Sequence, residues 1–155
     1  MSFEKAKAHL EKYGLSDRIY EFDVSSATVA LAAAALGTDE ARIAKSLSFI
    51  TPDGPILIVF AGDARVDNHK YKESFSCKAK MLSFDEVEPL IGHGVGGVCP
   101  FGINEGVKVY LDSSLLRFDN VYPAAGSSAS AVRLTPDELF SASEAIRWID
   151  VSKYD

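Results

Sequence analysis

A chain of 155 residues is the length of one domain. Its 47% hydrophobic and 25% charged residues fall in the ordinary globular range, which excludes a disordered chain, a collagen-like chain and a disulfide scaffold. Sixteen Lys and Arg against 22 Asp and Glu leave a formal charge of −6, which argues against a general nucleic-acid binder but leaves room for a local basic face.

In chain order, Phe3, Ala6, Leu10 and Tyr13 recur at helical spacing, with Ser2 as cap and Gly14 as stop. Arg18–Phe22 alternates like a strand. Ser26 to Ala44 reads as two helices joined at Gly37-Thr38. Ser46–Thr51 and Ile56–Ala61 are β-rich runs around Pro52-Asp53-Gly54-Pro55, the strongest hairpin signal in the chain. A helix over Asp67–Ser74 and a strand over Cys77–Leu82 follow. Ser83-Phe84-Asp85-Glu86 is a capping box for a helix reaching Leu90 or Ile91. Gly92–Gly102 holds five glycines and a proline, so it is a loop. Strands are expected at Val107–Leu111, Asp119–Tyr122, Ala131–Leu134 and Arg147–Val151, with a second capping box at Thr135-Pro136-Asp137-Glu138. There is no repeat and no linker. The expected fold is one mixed α/β domain over residues 1–155, of α+β character, around a curved mixed sheet.

Cys77 and Cys99 have no partners at metal-ligand spacing, so no metal or other cofactor is expected. The charged start Met1-Ser2-Phe3-Glu4-Lys5 has no apolar signal core, and the longest apolar run, Ala27–Leu36, is too short for a bilayer. A cytoplasmic protein with no membrane partner is the expectation.

Several constellations bear on chemistry. In the loop Gly92–Gly102, Gly96 and Gly97 allow a ligand close to backbone N–H groups. It lacks the strand-loop-helix context of a dinucleotide fingerprint. Lys45, before Ser46-Leu47-Ser48-Phe49, can serve as a fixed cation in a cleft; the plainer alternative is a solvated lysine closing a helix. Tyr122-Pro123-Ala124-Ala125-Gly126-Ser127 can line a pocket with small residues, or be a simple loop. No Gly-x-Ser-x-Gly elbow is present. His9 and His69 read as surface residues. His93 and Cys99 share the glycine loop, with a packed thiol the simpler reading of Cys99. Arg65, His69, Lys70, Lys72, Lys78 and Lys80 form a basic stretch suited to phosphate contact or to plain solvation.

Taken in order, Arg42-Ile43-Ala44-Lys45-Ser46-Leu47, the Gly-x-x-x-Pro loop Gly96-Gly97-Val98-Cys99-Pro100 with Phe101-Gly102, and Tyr122-Pro123-Ala124-Ala125-Gly126 resemble the YbaK/prolyl-tRNA-editing domain family over nearly the whole chain. The resemblance implies the YbaK/ProRS-editing fold, a barrel-like sheet flanked by helices. It also implies a trans-acting aminoacyl-tRNA deacylase that hydrolyses the ester of a small amino acid such as alanine or cysteine on proline tRNA. The implied partners are the aminoacylated tRNA end and an aminoacyl-tRNA synthetase. The implied catalytic groups are Lys45, Gly96 and Gly97. Substrate binding falls to Ser46, Cys99, Pro100, Phe101, Gly126 and Ser127. The resemblance requires no protein nucleophile: a positioned water, or a ribose hydroxyl of the tRNA end, suits a labile ester.

One departure stands out. The stretch Ser127-Ser128-Ala129-Ser130-Ala131 carries no acid or histidine where some family members have one, so the choice among alanine, cysteine and serine stays open. Two other functions remain: a non-catalytic aminoacyl-tRNA or nucleotide-binding regulatory module of the same fold, and a small-molecule esterase without a tRNA partner. Selection by size would exclude proline, with Phe22, Phe49, Phe60 and Phe101 as candidate walls.

Overall fold

The computed structural model of the chain describes residues 2–22 and 28–154. Its sheet is organised on the hairpin that the turn signal announces. β2 (Ile43–Thr51) and β3 (Gly54–Ala61) pair antiparallel with Thr51 opposite Gly54, so Pro52-Asp53 is the two-residue turn. Leu57 to Ala61 are all completely buried. A strand made of one apolar run, without alternation, belongs in the middle of a sheet covered on both faces, and β3 lies there.

Around it the strands β1 (Ile19–Glu21), β4 (Arg65–Val66), β5 (Lys108–Asp112), β6 (Tyr122–Pro123), β7 (Ser130–Val132), β8 (Arg147–Ile149) and β9 (Ser152–Lys153) complete the β structure of the described residues. The main sheet has the order β6-β2-β3-β5-β8 and is mixed: β6, β5 and β8 join it by parallel pairing. It curls into a half-barrel. β1 pairs with β7 and β4 with β9, both antiparallel. The parallel step from β3 to β5 requires a long crossover, and residues 62–107 make it, carrying the glycine loop.

The helices are α1 (Ser2–Glu11), α2 (Val29–Leu36), α3 (Asn68–Phe75), α4 (Phe84–Ile91) and α5 (Pro136–Ala142). Their ends follow local chemistry. Asp67 accepts from the His69 and Lys70 amides to start α3. The Ser83 amide donates to Glu86, and Thr135 and Glu138 bond reciprocally, so both capping boxes form. α1 buries Ala6 and Leu10.

Several expectations change. The second helix before Ala44 is only a 3-10 turn, Glu40–Arg42, and β2 already begins at Ile43. Pairing of Ile43 and Ala44 with β6 and of Ala44 with Ala61 overrides the helical preference of this stretch. The first helix of the pair starts after Thr28, whose hydroxyl accepts from the Leu31 amide; Ser26 lies outside the described residues. Cys77–Leu82 is not a strand: it touches β2 through a single bridge, Met81 to Phe49, flanked by two hydrogen bonds. The expected strand over Asp119–Tyr122 shrinks to Tyr122–Pro123. The closing strand splits into β8 and β9.

The split has a physical centre in Asp112, a fully buried carboxylate at the end of β5. It accepts from the Ser114 amide at 3.0 Å, the Val151 amide at 2.9 Å and the Ser152 hydroxyl at 2.6 Å. Three buried donors therefore depend on one side chain, and Asp112→Ala leaves all three unpaired. We expect a loss of about 3 kcal/mol of stability or more, measurable by urea unfolding, against a near-neutral effect for an exposed control such as Asp53→Ala.

Candidate functional site

A cavity of about 300 Å³ opens beside β2. Four segments build it. β2 supplies a continuous stretch from Ile43 to Ser48, α2 supplies Val29 and Ala32, and the glycine loop and the late loop supply Gly96, Val98, Ala124 and Ser127. Met81, Val87 and Val95 complete the apolar wall. Among the described residues that line it, Lys45 is the one charged side chain.

Lys45 is the third residue of β2, not the end of a helix, so its backbone is fixed by pairing with Phe60. Its ammonium is half-buried and points to the Gly62 carbonyl at 3.4 Å. Burial pushes its pKa below the ordinary lysine value, and the neighbouring Asp63 carboxylate opposes that push. Gly62 has no room for a side chain: a Cβ there would strike the Glu40 carbonyl oxygen and Val29. The close approach therefore requires glycine.

The segment carrying Gly62 is clamped from the neighbouring 3-10 turn, Ser113–Arg117. The Ser114 hydroxyl accepts from the buried Ala61 amide at 3.0 Å. Arg117 grips the Asp63 carboxylate through both terminal nitrogens, at 2.5 and 3.0 Å. Its guanidinium also lies over the rings of Phe118 and Tyr154. Hydrogen bonding from Arg117 holds the Asp63 carboxyl below its usual range, against the effect of burial. Asp63 is thereby engaged elsewhere than at Lys45.

The two loops meet backbone to backbone. A Cβ on Gly97 would run into the Gly126 carbonyl, and one on Gly126 into the Ser2 carbonyl at the start of α1. Glycine loop, late loop and α1 are thus stacked at main-chain distance. The Gly97 amide donates to Gly94 at 3.0 Å, which separates it from Gly96, an exposed residue at φ +97° on the cavity wall.

Of the residues singled out in the sequence, Lys45, Ser46, Gly96 and Ser127 come together in the cavity wall. Gly97 and Gly126 shape it from behind. Cys99, Pro100 and Phe101 do not line it. The Cys99 and Phe101 side chains are completely buried, and Pro100 lines a separate hollow of about 740 Å³ with Lys5, His9 and Lys12. The reason is the loop's docking: its second half turns inward to fill the core beside His93. Burial pushes the Cys99 thiol up to about 12, so it is a packed, unreactive group. His9 is not a free surface residue, since Nε2 lies 2.6 Å from the Ala142 carbonyl. Phe49, Phe60 and Phe101 belong to the core, and the steric wall is instead the small apolar set from α2, α4 and the loops. Sequence reading missed Val29, Ala32 and Val87, whose only signal was their place on the alanine-rich α2 and on the amphipathic α4. In the basic stretch, Lys70 is paired with Asp150 and His69 with Glu73, while Lys72, Lys78 and Lys80 are exposed.

Among the described residues, no three His, Cys, Asp or Glu side chains gather as a metal site, and no helix is long and apolar enough to cross a membrane.

Comparison with known proteins adds four findings. The model of the aminoacyl-tRNA editing domain matches residues 24–142. The uncharacterised protein YwhH of Bacillus subtilis is 49% identical over 99% of this chain and 98% of its own length. A crystal structure described as that of a candidate trans-editing enzyme for prolyl-tRNA synthetase superposes with a TM-score of 0.89, at 31% identity, covering 98% of this chain and 97% of that one. Proline–tRNA ligase of Streptococcus sanguinis is 27% identical over 70% of this chain, which spans 17% of that enzyme's length.

Two measurements test the electrostatics. Asp63→Asn removes the charge that supports protonated Lys45, so the Lys45 pKa drops further, as read by NMR titration of its side chain; an unchanged value would separate the two groups. His93 is fully buried, with Nε2 donating to the Phe101 carbonyl at 2.6 Å, and burial lowers its pKa. Its contribution to stability is therefore full above the unfolded-state value of about 6.5 and declines as the pH falls below it. His93→Gln flattens that slope in urea midpoints measured between pH 5 and 8.

Proposed function

Since the chain belongs to the aminoacyl-tRNA editing domain family, we propose that it is a trans-acting deacylase that hydrolyses the ester of a small amino acid wrongly attached to tRNA, with proline tRNA as the carrier. The observation that carries this reading is a small apolar cavity whose described lining holds a single cation, Lys45, edged by an exposed glycine backbone. The match of almost the whole chain to a structure described as a candidate trans-editing enzyme supports action in trans.

In this reading Lys45 holds the negatively charged or carbonyl oxygens of the aminoacylated terminal adenosine. Its ammonium is only half-buried and its hydrogen bond to Gly62 is long, so it can turn to a ligand oxygen. The Gly96 amide faces the ester carbonyl and stabilises the oxyanion as water adds. Gly97 contributes by close packing, because its amide is already committed to Gly94. Among the described residues, the cavity wall offers no carboxylate or imidazole as general base. The attacking water is therefore activated by the substrate itself, through the vicinal ribose hydroxyl. It adds to the ester carbon, the C–O bond to the ribose breaks, and the ribose oxygen takes up the proton, giving free amino acid and free tRNA. The cavity admits small side chains and excludes proline by size. Exposed Lys78 and Lys80, beside Met81 at the cavity, provide a phosphate-binding approach on an acidic protein. An aminoacyl-tRNA synthetase is the partner that would deliver the substrate, and the reaction belongs in the cytoplasm, where tRNA is charged.

The absence of a general base among the described lining residues also favours a second reading, a module that binds the aminoacylated end without cleaving it. Both are tested by following ester loss from mischarged proline tRNA. Deacylation above the buffer rate, reduced about 10²-fold in Lys45→Ala and partly kept in Lys45→Arg, supports the enzyme. Slower decay than in buffer, with binding retained, would establish the module instead.

A further inference from the structure

Among the described residues of the cavity wall, Ser46 is the one whose side chain carries a buried polar atom with no hydrogen-bond partner, its hydroxyl. The other hydroxyls of known engagement are spoken for. Thr28 caps α2, and Ser127 and Ser130 bond to each other and to the late-loop backbone. The other two buried unpaired side-chain atoms of the described residues, on Tyr71 and His93, do not line the cavity.

Ser46 also occupies a gap in the sheet. Along the outer edge of β2, β6 covers Ile43 and Ala44, and the Lys80–Leu82 segment covers Ser48 to Ile50. Among the described residues no strand covers the position between them. The Ser48 carbonyl accepts from the Leu82 amide and the Ile50 amide donates to the Lys80 carbonyl. Residues two apart in a strand send their main-chain groups to the same side. Ser46 therefore directs its amide and carbonyl into the gap as well. One residue of the cavity wall thus carries a main-chain donor and acceptor at the gap and a buried hydroxyl without a partner.

Resting on the deacylase reading above, we propose that Ser46 is a specificity-determining residue and that the amino acid it selects is serine, ahead of the alanine or cysteine that the resemblance implies. The main-chain groups suit what every aminoacyl ester shares. The hydroxyl distinguishes. A seryl side chain both donates to and accepts from it, a cysteinyl thiol does so weakly, and an alanyl methyl leaves it unpaired. A site with a buried hydrogen-bonding group penalises the analogue that lacks the partner far more than a methylene difference does. The order of hydrolysis is then seryl, cysteinyl, alanyl.

The test uses the intact protein and one proline tRNA charged in turn with serine, cysteine and alanine, under single-turnover conditions. A parallel titration measures binding of amide-linked, non-hydrolysable seryl- and alanyl-adenosine. The expected result is a seryl preference over alanyl of about tenfold or more, with the seryl-to-alanyl ratio falling about tenfold in Ser46→Ala. That variant loses an unpaired buried hydroxyl, so its melting temperature should match or exceed the parent's, which checks folding. Ser46→Thr, which keeps the hydroxyl, should keep the sign of the preference if it folds. An alanyl preference in the parent overturns the proposal. So does an unchanged ratio in Ser46→Ala, including an equal loss on all three esters, which would assign the hydroxyl to the shared ammonium. If no ester is cleaved but the seryl analogue still binds more tightly through Ser46, the deacylase reading fails and the serine selection stands. Equal binding of the two analogues, with no cleavage, removes both.

Discussion

The site depends on one short stretch of backbone, Ala61-Gly62-Asp63, being held still. The Ser114 hydroxyl fixes its first residue and Arg117 its last, and Gly62 between them presents the carbonyl that orients Lys45. Both clamping residues come from a single 3-10 turn, which is anchored in turn by buried Asp112. A lysine otherwise loses several free side-chain torsions on being ordered. Here much of that ordering is made in the folding of β2, β3 and the turn, before any ligand arrives. Arg117 also keeps Asp63 from becoming Lys45's tight partner. The cation is positioned by a carbonyl, which leaves its charge available to an anionic or carbonyl ligand.

A second constraint is main-chain proximity. Gly97, Gly126 and the start of α1 are stacked so closely that a single Cβ at either glycine would push the layers apart. This packing draws the glycine loop against the late loop, and the cavity is the space left between them and β2. It also explains why loop residues adjacent in sequence have opposite fates. Gly96 and Val98 stay on the cavity, while Cys99 and Phe101 turn into the core, where burial leaves the thiol protonated and inert.

In this acidic chain, positive charge available to a ligand lies in few places. Lys70 is paired with Asp150 and His69 lies against Glu73, and Lys45 stands in an apolar wall where the effective dielectric is low. One lysine there is worth more to a ligand than several on the surface, whose interactions salt screens. The same apolar wall raises the cost of an unpaired hydroxyl, which is why Ser46 acquires meaning beside Lys45.

What the sequence determined by itself was local. The Pro52-Asp53 turn sets the hairpin register, the two capping boxes set the starts of α4 and α5, and the unbroken apolar run of β3 puts it at the centre of the sheet. The ordered motifs around Lys45, Gly96-Gly97 and Gly126 were legible too, because each needs a particular residue type at a particular place in the chain. Tertiary structure decided the rest. Ile43 and Ala44 became strand because β6, some eighty residues later, and β3 offered pairing that outweighed helix propensity. Cys77–Leu82 failed as a strand because β2 accepts it at one bridge only. The clamp on Gly62, the inward turn of Cys99 and Phe101, and the bare edge at Ser46 all arise from contacts between segments far apart in the chain. Sequence periodicity records which face of an element is apolar, but not which distant partner that face meets, and the site is built from those meetings.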